Sequence, residues 1–186
     1  MNRIEEAISY ALKMHAGQAR KASPIPYIMH PMEAGVIAAS LTDDEDTIIA
    51  AILHDTVEDT PATLEDLRTR FGDRVAEIVA AETENKRDDR PKSETWQIRK
   101  EESLAEFRTV TDPAIRIVWL SDKLSNVRSL YRNYLVEGDR AFSHFNMKDK
   151  ARHGWYYHSI VDILSDMSDR SAWRELKAMV DAIFDK

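Results

Sequence analysis

Ala50-Ala51-Ile52-Leu53-His54-Asp55-Thr56-Val57-Glu58-Asp59-Thr60-Pro61 decides both the fold class and the chemistry of this 186-residue chain. The run Ile48 to Leu53 is apolar and reads as a helix set in the core. The second half of the stretch carries His54, Asp55, Glu58 and Asp59. On a continuous helix, His54 stacks over Glu58 and Asp55 over Asp59, each pair one turn apart. The two faces adjoin, so all four groups project into one sector. Pro61 stops the helix, because the residue before a proline is pushed out of the α region. An imidazole and three carboxylates at the end of an apolar helix are costly unless something compensates them. A divalent metal would do so. The plain alternative is a solvated acidic helix end, and the apolar run directly before His54 speaks against it.

Working outward, helical periodicity recurs along the chain. Ile4, Ala7, Ile8, Ala11, Leu12 and His15 share one face of a first helix, which Gly17 ends. Arg20 to Tyr27 is a loop, since Pro24 and Pro26 forbid a helix there. His30-Pro31 opens a second helix running to about Leu41, with Pro31 suited to the first turn, and the central helix follows from about Asp46. Thr63 reads as an N-cap, with Glu65 and Asp66 in the first turn and Gly72 as the stop. Val75, Ile78, Val79 and Glu82 mark another helix, and Lys86 to Lys92 a charged loop. Trp96 to Phe107, a long helix from Pro113 to Gly138, Trp155 to Met167 and Trp173 to Phe184 complete the set. No set of strands emerges. The fold class is all-α, one domain of about eight to ten helices over residues 1–186, with 168–186 a closing helix.

Composition narrows the function classes. Cysteine is absent, which excludes a disulfide scaffold, a thiolate zinc site and a cysteine nucleophile. The formal net charge of −7 is the wrong sign for a protein that grips duplex nucleic acid. No stretch approaches the ~18 apolar residues of a membrane span, and no leader is evident, so the expected location is the cytoplasm.

A metal on His54 and Asp55 needs further ligands, because adjacent helical side chains diverge by about 100°. Two candidates stand out. His30 is fixed at a loop-to-helix junction by Pro31, and Asp122 is embedded in the otherwise apolar stretch Ile117 to Leu124. Each has a plain reading: His30 as a hydrogen-bonded packing residue, Asp122 as the partner of Lys123 or Arg128. Nitrogen and oxygen donors without sulfur admit Mn²⁺, Fe²⁺, Mg²⁺ or Zn²⁺.

Five ordered blocks then carry a resemblance: His15-Ala16-Gly17-Gln18-Ala19-Arg20-Lys21, Pro26-Tyr27-Ile28-Met29-His30-Pro31, Ala50 to Pro61, Phe71-Gly72 followed by Val75, and Leu120-Ser121-Asp122-Lys123-Leu124-Ser125-Asn126-Val127-Arg128. Over residues 4 to 165 or so, the chain resembles the HD-domain metal-dependent phosphohydrolases. Among them it is most similar to the hydrolase domain of the RelA/SpoT alarmone enzymes, in the hydrolase-only short form of the metazoan SpoT homologue type. The resemblance implies His30, His54, Asp55 and Asp122 as metal ligands, usually for Mn²⁺. It implies Glu58 and Asp59 as the catalytic acid pair that positions and deprotonates the attacking water. Arg20 is implied to pack on the nucleobase with Lys21 beside it, and Asn126 to bond the nucleoside. The implied reaction removes pyrophosphate from the 3′ position of guanosine tetra- or pentaphosphate, leaving GDP or GTP. Lys86, Arg99, Lys100, Lys123 and Arg128 are candidates for the other phosphates.

Two segments depart from the family. Ala22 to Pro26 is proline-rich where relatives often have glycine, and Glu82 to Lys86 stands where many long relatives carry a Val-Thr-Lys-like sequence. Both border the expected pocket and keep open another nucleotide substrate, such as an adenosine alarmone or a nucleotide 2′- or 3′-phosphate. A non-catalytic nucleotide-binding module is a third reading, which the acid pair opposes. The chain ends too soon for a synthetase domain, so alarmone synthesis is not expected. His144, His153 and His158 read as surface or packing residues, and Tyr27 as a structural lock on the loop that presents His30, with pocket contact as its alternative. Oligomeric state is open.

Overall fold

The computed structural model describes residues 2–20, 23–83, 87 and 91–185, with the backbone only of 92 and 93. Among these the chain forms ten α-helices and two short 3-10 segments. The only β-type pairing among them is a single antiparallel bridge between Ala19 and Pro26. The helices are α1 Arg3–Met14, α2 Met29–Ala39, α3 Glu45–Leu53, α4 Thr56–Asp59, α5 Leu64–Phe71, α6 Asp73–Glu82, α7 Lys92–Phe107, α8 Pro113–Glu137, α9 Lys150–Ile163 and α10 Ser171–Phe184. The chain divides into two compact units. The first is Met1–Thr83 with Asp112–Ser125; the second is Glu84–Thr111 with Asn126–Lys186. Helix α8 contributes to both.

In the first unit α3 is the hub, packed by α1, α2 and α6. Ile49 to Leu53 are at most 2% exposed. Full burial of Ile49, Ile52 and Leu53 contributes roughly 5–9 kcal/mol, at about 1.5–3 kcal/mol for each side chain. That is enough to hold polar residues at the helix end inside the protein. Helix α2 comes close to α3 because Gly35 faces it: a Cβ there would sit 2.5 Å from Ile52 Cγ1. The Arg3 guanidinium ties α1 to its neighbours, bonding Glu45 at 2.8 Å, Asp46 at 2.7 Å and the Phe71 carbonyl at 2.8 Å. Thr63 caps α5 in a reciprocal capping box with Asp66. Gly72 then turns the chain at φ +95°, a left-handed torsion that a side chain would strain.

The central stretch differs from the continuous helix expected of it. Its hydrogen-bond ladder breaks at His54–Asp55, between α3 and the single turn α4. The cause is local. His54 Nδ1 bonds the Ala51 carbonyl at 2.8 Å and Thr56 Oγ1 the Leu53 carbonyl at 2.6 Å, so side chains compete for acceptors of the last turn. Both residues keep helical torsions, so the path of the chain is little changed. Thr60 is extended, as the residue before Pro61 should be.

The second unit packs α9 against α7 and α10. Trp96, Leu104, Phe107, Phe142, Tyr156, Ile160, Leu176 and Ile183 are buried in it. Helix α9 starts at Lys150, five residues before the expected Trp155, because Asp149 accepts bonds from the Ala151 and Arg152 amides.

Candidate metal centre

Three elements of the first unit deliver the site. His30 lies in the first turn of α2, His54 and Asp55 form the α3–α4 junction, and Asp122 lies within α8. His30 Nε2 is 3.2 Å from His54 Nε2, 3.1 Å from Asp122 Oδ1 and 3.3 Å from Asp55 Oδ2. His54 Nε2 is 3.0 Å from Asp55 Oδ2 and 3.5 Å from Asp122 Oδ1. His30, His54 and Asp122 are buried, and the side chain of Asp55 is 16% exposed.

The outer bonds fix what these atoms offer. His54 Nδ1 donates to the Ala51 carbonyl, which leaves its Nε2 with a lone pair. His30 Nδ1 lies 2.8 Å from Ser125 Oγ, and Ser125 Oγ lies 2.8 Å from Glu33 Oε2. The single hydroxyl proton goes to the carboxylate, which only accepts, so His30 Nδ1 donates to Ser125. Its Nε2 therefore also turns a lone pair inward. With both imidazoles neutral, two lone pairs and the carboxylate oxygens beside them have no donor between them, so the site calls for a bound proton or a cation. A first-row divalent ion with bonds of about 2.1 Å spaces neighbouring donors roughly 3.0 Å apart at right angles and roughly 3.4 Å apart in a tetrahedron. The five separations, 3.0–3.5 Å, lie close to that range, and His30, His54 and Asp122 form a buried group able to hold a divalent ion, with Asp55 Oδ2 beside both histidines. Its carboxylate and imidazole composition suits Mn²⁺ among others.

Protonation tells the same story. Burial works against a charged His54, yet Asp55 and Asp122 outweigh it and hold its pKa well above the ordinary value. Burial likewise opposes ionised Asp55, but His54 and His30 keep its carboxyl well below the usual range. For Asp122, Lys123 and the two histidines overcome burial in the same direction. The cluster attracts positive charge, and a metal would compete with the proton for it. Asp122 serves both readings made of it: Oδ1 faces the histidines while Oδ2 takes Lys123 Nζ. Glu82, at the end of α6, has a buried Oε1 with no hydrogen-bond partner among the described residues. Burial pushes its carboxyl up to about 8, with Lys123 pulling the other way and Asp122 adding to the rise.

The acid pair Glu58 and Asp59 sits in α4, the turn directly after Asp55. Tyr27 Oη donates to Asp55 Oδ2 at 2.5 Å and lies 3.4 Å from Asp59 Oδ2. Burial and the same two acids raise the Tyr27 pKa far above the ordinary value, so the phenol remains a donor. Gln18 Nε2 donates to the Asp59 carbonyl at 2.8 Å. Arg20 lies 5.7 Å from the centroid of the Tyr27 ring. Lys21 and Lys86 lie outside the described residues, and Asn126 opens the second unit's share of α8. Of the candidate phosphate-binding cations, Arg128 makes two 2.7 Å bonds to Glu175, and Lys100 lies over the Tyr156 ring at 4.9 Å. Sequence reading missed Ser125, Glu33 and Gln18, and gave Tyr27 a structural part with pocket contact as the alternative. The signal available for Ser125 was its spacing three residues after Asp122, on the same helical face.

The chain is similar to known proteins along much of its length. The family model of the HD domain matches residues 7–144. A guanosine-3′,5′-bis(diphosphate) 3′-pyrophosphohydrolase of Aquifex aeolicus is 41% identical over 128 residues, 69% of this chain and 18% of that one. The bifunctional (p)ppGpp synthase/hydrolase SpoT of Escherichia coli is 36% identical over 135 residues, 70% of this chain and 18% of that one. The chain thus spans less than a fifth of the length of these two curated relatives. A solved metazoan orthologue of SpoT, described as hydrolysing ppGpp and playing a role in starvation responses, matches with a TM-score of 0.75. The identity there is 27%, over 100% of this chain and 95% of that one. No described helix is long and apolar enough to cross a membrane. With the HD motif at a buried His30–His54–Asp122 cluster and relatives of this kind, the chain belongs to the RelA/SpoT branch of the HD-domain metal-dependent phosphohydrolases.

Proposed function

We propose that the protein hydrolyses the 3′-pyrophosphate of guanosine tetra- or pentaphosphate, releasing pyrophosphate and GDP or GTP, with Mn²⁺ as the working ion. The observation that carries this reading is the buried meeting of His30, His54 and Asp122, with Asp55 Oδ2 within 3.3 Å of both histidines, in a chain 41% identical to a named 3′-pyrophosphohydrolase over 128 residues. His30, His54, Asp55 and Asp122 would hold the ion. When bound, a divalent ion supplies Lewis acidity, offsetting phosphoryl charge and acidifying water.

The protein's own groups do the rest. Asp59 and Glu58, one turn beyond Asp55, orient the attacking water and accept its proton as it adds to the phosphorus nearer the ribose 3′ oxygen. That phosphorus loses its bond to the 3′ oxygen, which takes up a proton to become the nucleoside 3′ hydroxyl. The planar Arg20 guanidinium, on the ring of Tyr27, offers a face to a nucleobase. Lys21 and Asn126 are assigned to the nucleoside on resemblance. The buried Glu82 carboxyl, near the metal cluster where long relatives carry Val-Thr-Lys-like sequence, favours a second reading at the level of substrate choice: another 3′- or 2′-phosphorylated nucleotide.

One experiment separates the two. The Mn²⁺-loaded protein is incubated with guanosine and adenosine 3′-pyrophosphates and with nucleotide 2′- and 3′-phosphates, and products are resolved by ion exchange. The expected result is pyrophosphate with GDP or GTP, and a fall in kcat of about 10²–10⁴ in Glu58→Gln or Asp59→Asn. Intact ppGpp alongside cleavage of another member of the panel would sink the guanosine assignment.

A further inference from the structure

The proline-rich loop before α2 does more than present His30. It closes on itself: the Tyr27 amide donates to the Gln18 carbonyl at 2.9 Å, the Arg20 amide to the Ile25 carbonyl at 2.9 Å, and Ala19 bridges Pro26. This holds the side chains of Gln18 and Tyr27 next to the α3–α4 junction. Gln18 Nε2 holds the Asp59 backbone, and Gln18 Oε1 accepts from His15 Nδ1 at 2.8 Å. Tyr27 holds the Asp55 carboxylate, and its ring lies against two others, those of His15 and His30, and against the Arg20 guanidinium.

We infer that Tyr27 is a positioning residue for the metal site: its hydroxyl sets the orientation of Asp55 while its ring carries Arg20. The geometry is specific. Asp55 Oδ2 is the oxygen that faces both histidine Nε2 atoms, and it is the same oxygen that accepts from Tyr27 at 2.5 Å. A carboxylate oxygen has two lone-pair directions, so one is fixed by the phenol and the other is left aimed at the cluster centre. A phenol donating to a carboxylate makes a short, charge-assisted bond, stronger than a neutral one. Asp55 is the most exposed of the four ligand candidates and follows the break in the ladder, so its backbone constrains it least. Outer partners of this kind orient ligands and typically change metal affinity or activity by about 10- to 100-fold. The second part follows from the ring. Arg20 and Asp55 contact the ring face and the hydroxyl of one side chain, so the group assigned to the base is held in register with the group assigned to the metal.

The inference rests on the metal-site reading above, and the test keeps the two apart. Mn²⁺ binding is followed by loss of the free-ion EPR signal, without substrate, in wild type, Tyr27→Phe and Tyr27→Leu. Steady-state kinetics with ppGpp follow. Tyr27→Phe keeps the ring and removes only the oxygen, and thermal melting confirms that it folds. The expected result is about 10- to 100-fold weaker Mn²⁺ binding and a lower kcat with KM close to wild type. Tyr27→Leu is expected to raise KM as well, by a factor of about 2 to 5, in line with loss of an exposed cation–π contact. Wild-type Mn²⁺ affinity in Tyr27→Phe would overturn the inference while leaving the metal site standing. A wild-type protein that binds no Mn²⁺ would overturn both. Should wild type bind Mn²⁺ and leave ppGpp uncut, the substrate assignment fails and the affinity comparison still decides the part played by Tyr27.

Discussion

His54 and His153 are equally hidden, at 2% and 5% exposure, yet they do opposite things. His153 belongs to the second unit, where Trp96, Phe142 and Phe145 surround its ring at centroid distances of 5.2, 5.4 and 5.2 Å. Its Nε2 donates to the Met147 carbonyl at 2.8 Å. His54 gives its backbone bond through Nδ1 instead, and its Nε2 is left looking at carboxylates and another imidazole. Burial does not separate a packing histidine from a ligand. The nitrogen taken by the backbone carbonyl does, because it decides where the lone pair points.

The sharpest way to break the comparison is to truncate both. His54→Ala should abolish measurable Mn²⁺ binding and phosphohydrolase turnover, an effect larger than the ~10- to 100-fold expected of outer-sphere changes. His153→Ala should leave Mn²⁺ affinity unchanged and instead lower the unfolding free energy by about 2–4 kcal/mol, the cost of a hole among large side chains. Isothermal titration with Mn²⁺ and urea unfolding read the two effects separately. Equal loss of Mn²⁺ binding in both variants would show that the distinction drawn from the ring nitrogens is false.

A smaller change sharpens the same point. Ser125→Ala removes the acceptor for His30 Nδ1 and leaves Glu33 without its serine donor. The His30 ring then loses the bond that fixes its tautomer. Mn²⁺ affinity should fall about tenfold, the low end for such partners, while stability changes by no more than about 1–2 kcal/mol. Ser125→Thr keeps the hydroxyl and should restore most of the affinity.

What could be read from the sequence follows the same physics. His30, His54 and Asp122 stood out as candidates because each is set against an apolar background, where its presence needs a reason, but that they meet was implied only by the resemblance. Helix ends at Thr63, Gly72 and Gly138 were legible because caps and left-handed turns restrict residue type. Ser125 and Gln18 were not, since an ordinary polar residue shows its partner only once distant helices meet. The break at His54–Asp55 was hidden because it arises from side chains competing for carbonyls, while the torsions stay helical. The start of α9 was placed late because Lys150 to Gly154 lacks an apolar face, and Asp149 as its cap was overlooked.

The mildest test contrasts two carboxylates, Asp122 in the buried cluster and Asp112 just before α8. Asp112 takes 2.7 Å bonds from Arg74 and also caps the helix through the Ala114 amide at 2.9 Å. Hydrogen bonding to Arg74 lowers its pKa, partly offset by burial and aided by the Ala114 amide. The folded-state pKa lies below the unfolded value, so the stabilisation is present above the unfolded pKa of about 3.9 and lost as pH falls through the folded pKa. Asp112→Asn keeps a good cap and removes only the charge. Arg74 is 40% exposed and Asp112 29%, so the gap between wild type and variant near neutral pH should stay under about 1 kcal/mol. Urea unfolding from pH 7 down to pH 2 should show that gap closing below about pH 4. A gap that widened on acidification would mean the pair is not what depresses this carboxyl. Mn²⁺ affinity should be untouched throughout the neutral range, since a lowered carboxyl pKa marks an ion pair here and a metal site only where imidazole lone pairs converge on the same oxygen.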